Sequence, residues 1–251
     1  MKTPSFRLDG RRALVTGGSR GIGLAAAHAL SQAGAEVVLA ARGMQDLERA
    51  CAQIQAQGGA ASALAIDVTD ASAVDMAVSR LGPFQILVNG AGGNRPALLA
   101  DMRDGDLDML MDLNVKAAFY LSRAVAKGLR NAKLPGSLIH VSSQMGHVGG
   151  PLRTAYCATK HALEGFTKAL AWELGPEGIR VNTLCPTFIE TEMTRPMFKD
   201  SRFRDFVISK IALGRIGRLE DIMGAVVFLA SDASALVTGS ALMVDGGWTA
   251  A

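Results

Sequence analysis

Along the chain, short, mainly apolar runs alternate with longer stretches in which apolar positions recur every three or four residues. The short runs, 12–16, 36–41, 63–68, 86–89, 138–142, 180–185 and 241–245, are bounded by Gly, Pro, Asp or Asn. Runs of this length between turn formers read as strands buried on both faces. The periodic stretches, 22–32, 47–57, 71–81, 107–129, 155–174 and 219–231, read as helices. Their regular alternation predicts an α/β fold: one domain built on a doubly wound parallel sheet of about seven strands, with helices on both faces. In such sheets ligands bind beyond the carboxyl ends of the strands, so chemistry is expected in the loops that follow them.

Composition narrows the class. With 251 residues, 49% of them hydrophobic, the chain can bury a large single core. The net charge of +3 comes from 26 basic and 23 acidic residues without a run of five like charges, so nucleic acid is not an expected partner. No apolar run reaches the roughly 18 residues of a membrane span, and MKTPSFRLDG lacks the apolar core of a signal peptide. A cytoplasmic protein without a membrane partner is expected. Cys51, Cys157 and Cys185 form no C-x-x-C pair and have no His at a spacing suited to zinc, so reduced thiols and no metal are expected.

The loop after the first strand reads TGGSRGIG, residues 16–23. Gly17, Gly21 and Gly23 let the backbone turn tightly between strand and helix and bring its N–H groups toward a pyrophosphate at the helix N-terminus. The same glycines would suit a tight turn that binds nothing; the flanking strand and helix favour a dinucleotide. The second strand ends in Ala41 and Arg42, with no carboxylate for a ribose 2′-hydroxyl. Arg42 and Arg20 together suit a 2′-phosphate, so NADP(H) is favoured over NAD(H).

Tyr156 and Lys160, in TAYCATKHALEG, stand four apart in a helical stretch, so they share a face and the ammonium can lie near the phenol. Spacing alone does not distinguish a catalytic couple from a surface pair. Several motifs stand beside it in order: TGGSRGIG (16–23), DV (67–68), NGAG (89–92), LNVKAAF around Asn114, VSSQMG (141–146), YCATK (156–160), RVNTLCPTFIET (180–191) and VDGGW (244–248). Taken together, from residue 8 to residue 248, the chain resembles the short-chain dehydrogenase/reductase family in its form of about 250 residues. The resemblance implies a cofactor site of Gly17, Ser19, Arg20, Gly21, Ile22, Gly23, Arg42, Asp67, Val68, Asn89, Ala91, Gly92, Tyr156, Lys160, Pro186, Ile189 and Thr191. It implies a catalytic set of Asn114, Ser143, Tyr156 and Lys160. Tyr156 would exchange a proton with the substrate oxygen, its pKa lowered by the Lys160 ammonium. Ser143 would orient that oxygen, and Asn114 would hold a water linking the lysine to solvent. Two departures stand out: Gly90, where many members carry a second asparagine, should loosen the turn, and Thr187, where glycine is usual, restricts the backbone.

Substrate choice is less legible. Residues just past these loops are the pocket candidates: Gly93, Asn94, Arg95, Met145, His147, Gly150, Arg153, Phe188, Met193 and Met197. Asn94, Met145, His147, Arg153 and Phe188 are the leading ones, and the polar members favour a hydroxylated or anionic ketone or secondary alcohol. Residues 192–218 read either as an apolar lid over the substrate or as a small helical pair packed on its neighbours. Alternatives to a 3-oxo or keto-sugar oxidoreductase are a 3-oxoacyl-carrier-protein reductase and a catalytically idle NADP-binding sensor or scaffold. For the carrier-protein variant Lys127, Arg130 and Lys133 offer positive charge, but Glu177 opposes it. Surplus apolar surface on 107–129 and 155–174 suggests a subunit interface, and the resemblance implies a homotetramer.

Overall fold

A computed structural model describes residues 1–250. Strands and helices alternate as the apolar pattern requires: β1 (Arg12–Thr16), α1 (Gly21–Gln32), β2 (Glu36–Ala41), α2 (Met44–Ala56), β3 (Ala61–Ala65), α3 (Ala71–Leu81) and β4 (Ile86–Asn89). The second half adds α4 (Asp104–Met111), α5 (Ala117–Ala132), β5 (Gly136–Val141), α6 (Thr154–Leu174), β6 (Ile179–Pro186), α7 (Ser201–Ser209), α8 (Leu219–Ala230) and β7 (Ala241–Val244). All seven strands run parallel in the order β3-β2-β1-β4-β5-β6-β7. Strands β1, β2 and β4 are buried on both faces because helices cover each side. On one face Leu30, Leu47, Ile54, Ile222 and Leu229 close a core under α1, α2 and α8. On the other, Val74, Val78, Leu121, Leu129 and Leu174 close a second under α3, α5 and α6.

The strand order reverses between β1 and β4, where Thr16 pairs with Asn89. The loops leaving these two ends diverge to opposite sides and open the crevice in which such sheets bind ligands.

Two expected elements are corrected. The third strand is Ala61–Ala65 rather than 63–68, so Asp67 and Val68 belong to the following loop. As an edge strand it is half exposed, and its small residues do not stand out from the apolar run behind them. There Asp67 Oδ1 accepts hydrogen bonds from the backbone N–H (2.9 Å) and hydroxyl (2.8 Å) of Thr69, which turns the chain. The helix expected over 107–129 is interrupted by a π-helical turn, Asp112–Lys116, between α4 and α5. Asn114 lies in that turn, only 2% exposed, and apolar periodicity carries no sign of the extra residue.

Candidate active site

The crevice begins where two turns press backbone against backbone. Gly17 has φ +64°, and a Cβ on it would stand 2.8 Å from the Gly90 carbonyl oxygen. A Cβ on Gly90 would in turn meet the Thr16 carbonyl oxygen at 2.7 Å. Gly90 therefore tightens this crossing instead of loosening it. Thr16 fastens the same place: its hydroxyl accepts from the N–H groups of Gly90 (3.2 Å) and Ala91 (3.3 Å). Nothing in the sequence marks Thr16 as a site residue, because its role depends on the loop after β4.

Helix α1 starts immediately after this crossing. Its N-cap, Arg20, makes no side-chain cap and the first turn has no acidic residue, so its leading N–H groups face no competing carboxylate. The Gly21 Cβ position lies 3.7 Å from Thr191 Cγ2, which brings the 186–191 segment over the glycine loop. Thr187 N–H donates to Val244 O at 3.2 Å, while its buried hydroxyl has no partner among the described residues. Arg20 and Arg42 are exposed, and neither belongs to an ion pair among the described residues. Asp67, also exposed, is held below the usual carboxylate range by the Thr69 hydrogen bonds and, more weakly, by the Arg42 charge.

At the far end of the crevice the polar groups are buried. Tyr156 and Lys160 occupy the first turns of α6, with Lys160 Nζ 5.6 Å from the Tyr156 ring centroid. Lys160 is 5% exposed and donates to Val141 O at 2.8 Å. Burial pushes its pKa down to about 8, so the ammonium persists at neutral pH. The expected lowering of the Tyr156 phenol by Lys160 is corrected: burial raises it above its ordinary value, and the Ser143 hydroxyl and the Arg153 charge pull it part of the way back. A phenol in this state holds its proton and can donate it.

Asn114 ties the π turn to the central loop. Its Oδ1 accepts from Gly93 N at 2.8 Å, and its Nδ2 donates to Gly93 O and Thr159 Oγ1, each at 3.0 Å. A Cβ on Gly92 would lie 3.3 Å from Asn114 Oδ1 and 3.8 Å from Lys160 Nζ, so the loop passes against both side chains. Ser143, two residues beyond β5, accepts from Met145 N (3.1 Å) and donates to Gln144 Oε1 (2.9 Å). The structure thus brings Asn114, Ser143, Tyr156 and Lys160 to one end of the crevice and the glycine loop to the other.

Behind them runs a polar chain with no sequence signal. Asn89 Nδ2 donates to Ser122 Oγ at 3.3 Å, Ser122 Oγ meets His140 Nε2 at 3.0 Å, and His140 Nδ1 meets Thr167 Oγ1 at 2.8 Å. Burial, reinforced by the Lys160 charge, pushes His140 down to about 3 and keeps it neutral. His140 was hidden because it sits inside an apolar strand run.

Pocket candidates behave differently from one another. Asn94 keeps a buried Oδ1 with no partner among the described residues, and Met145 is buried against Gly150. Arg95 pairs with Asp106 at 3.6 Å on the surface. His147 is engaged elsewhere, with Nε2 3.4 Å from Glu164 Oε1 and 3.6 Å from Cys185 Sγ. Arg153 is 6% exposed, directly follows Leu152 at φ +60°, and donates from its guanidinium to Leu152 O at 3.3 Å. Among the described residues it meets no carboxylate, and burial lowers its pKa. Phe188 packs against Phe198, Phe203 and Trp248 at centroid separations of 6.1, 5.7 and 5.8 Å, which docks the segment carrying α7 onto the 186–191 loop. Met193 and Phe206 of that segment remain exposed.

Comparison with known proteins agrees with this geometry. A family model described as enoyl-(acyl carrier protein) reductase matches residues 17–249. A gluconate 5-dehydrogenase of Gluconobacter oxydans is 41% identical, the match covering 97% of this chain and 96% of the relative. A D-erythrulose reductase of Gallus gallus is 39% identical, with 98% of both chains covered. The crystal structure of a putative 2-deoxy-D-gluconate 3-dehydrogenase from Agrobacterium tumefaciens, with bound NADP, superposes with a TM-score of 0.95 at 42% identity over the whole of both chains. The chain belongs to the short-chain dehydrogenase/reductase family.

Proposed function

We propose that the protein is an NADP(H)-dependent oxidoreductase that interconverts a ketone and a secondary alcohol on a polyhydroxylated substrate bearing a carboxylate, of the keto-aldonate and aldonate class. The glycine crossing, the uncapped N-terminus of α1 and Arg20 and Arg42, which have no ion-pair partner among the described residues, fit a dinucleotide with a 2′-phosphate, and the NADP-bound relative supports that choice. Gly17, Ser19, Arg20, Gly21, Ile22 and Gly23 would cradle the pyrophosphate, with Arg42, Asp67 and Val68 at the adenosine end. Asn89, Ala91, Gly92, Pro186, Ile189 and Thr191 would flank the nicotinamide. When bound, NADP(H) supplies or accepts the hydride.

The remaining work falls to side chains of this chain. In the reductive direction Tyr156 gives its proton to the carbonyl oxygen as charge develops there. Lys160, charged at neutral pH, stabilises the phenolate left behind. Ser143 turns from Gln144 to donate to the same oxygen, fixing the carbonyl against Tyr156. Asn114 holds the Gly93 backbone in place beside Lys160 and sets the path by which the tyrosine regains a proton.

Arg153 carries the carboxylate assignment. It is a largely buried guanidinium beside Tyr156 whose one hydrogen bond among the described residues is to a neighbouring carbonyl, and it follows a residue in a strained left-handed conformation. An anionic substrate group would complete it through charge-assisted hydrogen bonds. The docked α7 segment would close over the substrate, hinged on its contacts with Phe188. The carrier-protein reading loses one member of its basic patch, because two nitrogens of Arg130 are taken up by Glu177 at 2.5–3.0 Å. Exposed Phe119 on α5 and Trp172 on α6, the latter 86% exposed, support packing of these helices between subunits of a homotetramer.

The test is a panel of aldonates, neutral polyols and 3-oxoacyl thioesters assayed with NADP(H) and NAD(H). Aldonates with NADP+ should give the highest kcat/KM, and Arg153→Met should raise KM for aldonates by at least about tenfold while sparing neutral polyols. Equal loss on both substrate classes would remove the carboxylate assignment.

A further inference from the structure

One cluster of reactive side chains lies outside the chemistry above. Glu164, on α6 one turn beyond Lys160, is buried, as is Cys185 on β6, and both face the ring of His147 from the turn after Ser143. Cys185 Sγ stands 3.4 Å from Glu164 Oε1 and 3.6 Å from His147 Nε2, and His147 Nε2 stands 3.4 Å from Glu164 Oε1. One sulfur, one nitrogen and one oxygen therefore form a nearly equilateral triangle.

Its edges match a metal. Tetrahedral zinc has bonds of about 2.3 Å to sulfur, 2.0–2.1 Å to nitrogen and 2.0–2.2 Å to carboxylate oxygen, which set ligand-to-ligand edges of about 3.3–3.6 Å. The single Cys185 proton faces Glu164, His147 and Thr183 Oγ1 (3.3 Å), and the Thr183 hydroxyl already donates to Glu164 Oε2 at 2.9 Å. A second observation points the same way. The Ser142 hydroxyl, in a residue 3% exposed, has no nitrogen or oxygen partner among the described residues and stands close enough to the Cys185 sulfur to donate to its thiolate.

We infer that His147 Nε2, Glu164 Oε1 and Cys185 Sγ form a binding site for a soft divalent cation of the zinc type, with a water or the Ser142 hydroxyl completing the tetrahedron. A nitrogen, a thiolate and a carboxylate together favour zinc over magnesium or calcium. The half-exposed His147 side chain gives the ion a route from solvent. Binding replaces the Cys185 proton, which is released to solvent. The three ligands come from a turn, a helix and a strand 17 and 21 residues apart, which is why no local spacing announced them.

The test uses the full-length protein without a histidine tag, titrated anaerobically with Co2+. One equivalent should bind and give a near-ultraviolet thiolate-to-cobalt charge-transfer band that one equivalent of Zn2+ abolishes. The band should vanish in Cys185→Ser and persist in Cys51→Ser and Cys157→Ser. His147→Ala, a change at an exposed position that leaves the core intact, should weaken Co2+ binding at least about tenfold. Absence of the band in the wild type, its survival in Cys185→Ser, or unchanged affinity in His147→Ala would overturn the assignment.

Discussion

The two ends of the crevice hold their polar groups in opposite ways. At the glycine-loop end Arg20, Arg42 and Asp67 are exposed, and the two arginines lack ionic partners among the described residues. At the Tyr156 end Asn114, Ser143 and Lys160 are 2–7% exposed, and each hydrogen-bonds within the protein. Groups at the first end can be exchanged without disturbing the fold, so cofactor choice is free to vary there. Groups at the second end are part of the core, so altering the chemistry also alters stability.

Lys160→Met should show the largest effect. Turnover should fall by about 10²–10⁴-fold, as expected for loss of the group that supports proton transfer. Stability should move the other way. The folded-state pKa of about 8 lies below the ordinary 10.5, so below pH 8 burying the ammonium costs stability, and that cost fades as pH rises through 10.5. The stability of wild type relative to Lys160→Met, from denaturant midpoints, should therefore improve between pH 8 and 10.5, by on the order of 3 kcal/mol. A constant difference across that window would mean that Lys160 is not strained by burial.

At the exposed end the contrast predicts a separable effect. Arg20→Ala combined with Arg42→Ala should raise KM for NADPH by roughly 10–100-fold, leave KM for NADH nearly unchanged, and barely move Tm. Asn114→Ala should instead lower stability by about 1–3 kcal/mol, because the Gly93 backbone groups lose their partner, with a drop in kcat measured alongside. The smallest effect on the chemical step belongs to Trp172→Lys, which should reduce the mass in solution while the rate per active site stays close to wild type. Equal losses of stability at the two ends would break the comparison.

The same difference explains what could be read from the sequence. The glycine loop is local: its turn, its strand and its helix start lie within a few residues, so TGGSRGIG announces it. Tyr156 and Lys160 are legible because helical spacing is local too. His140 and the His147, Glu164 and Cys185 cluster are not, since their partners come from separate elements and the sheet alone brings them together. The role of Gly90 is not local either. Its tight packing depends on Thr16 and Gly17 across the strand switch, a contact between segments more than 70 residues apart. The π turn at Asn114 was hidden because its hydrogen-bond partners, Gly93 and Thr159, lie on other segments.

The central claim is that Tyr156 delivers the proton at the buried end of the crevice. Its most direct test is the turnover of Tyr156→Phe with NADPH and a keto-aldonate, with NADPH binding followed separately by fluorescence. Unchanged NADPH affinity together with a loss of kcat of at least about 10²-fold is the expected result. Full turnover by the phenylalanine variant would contradict the account.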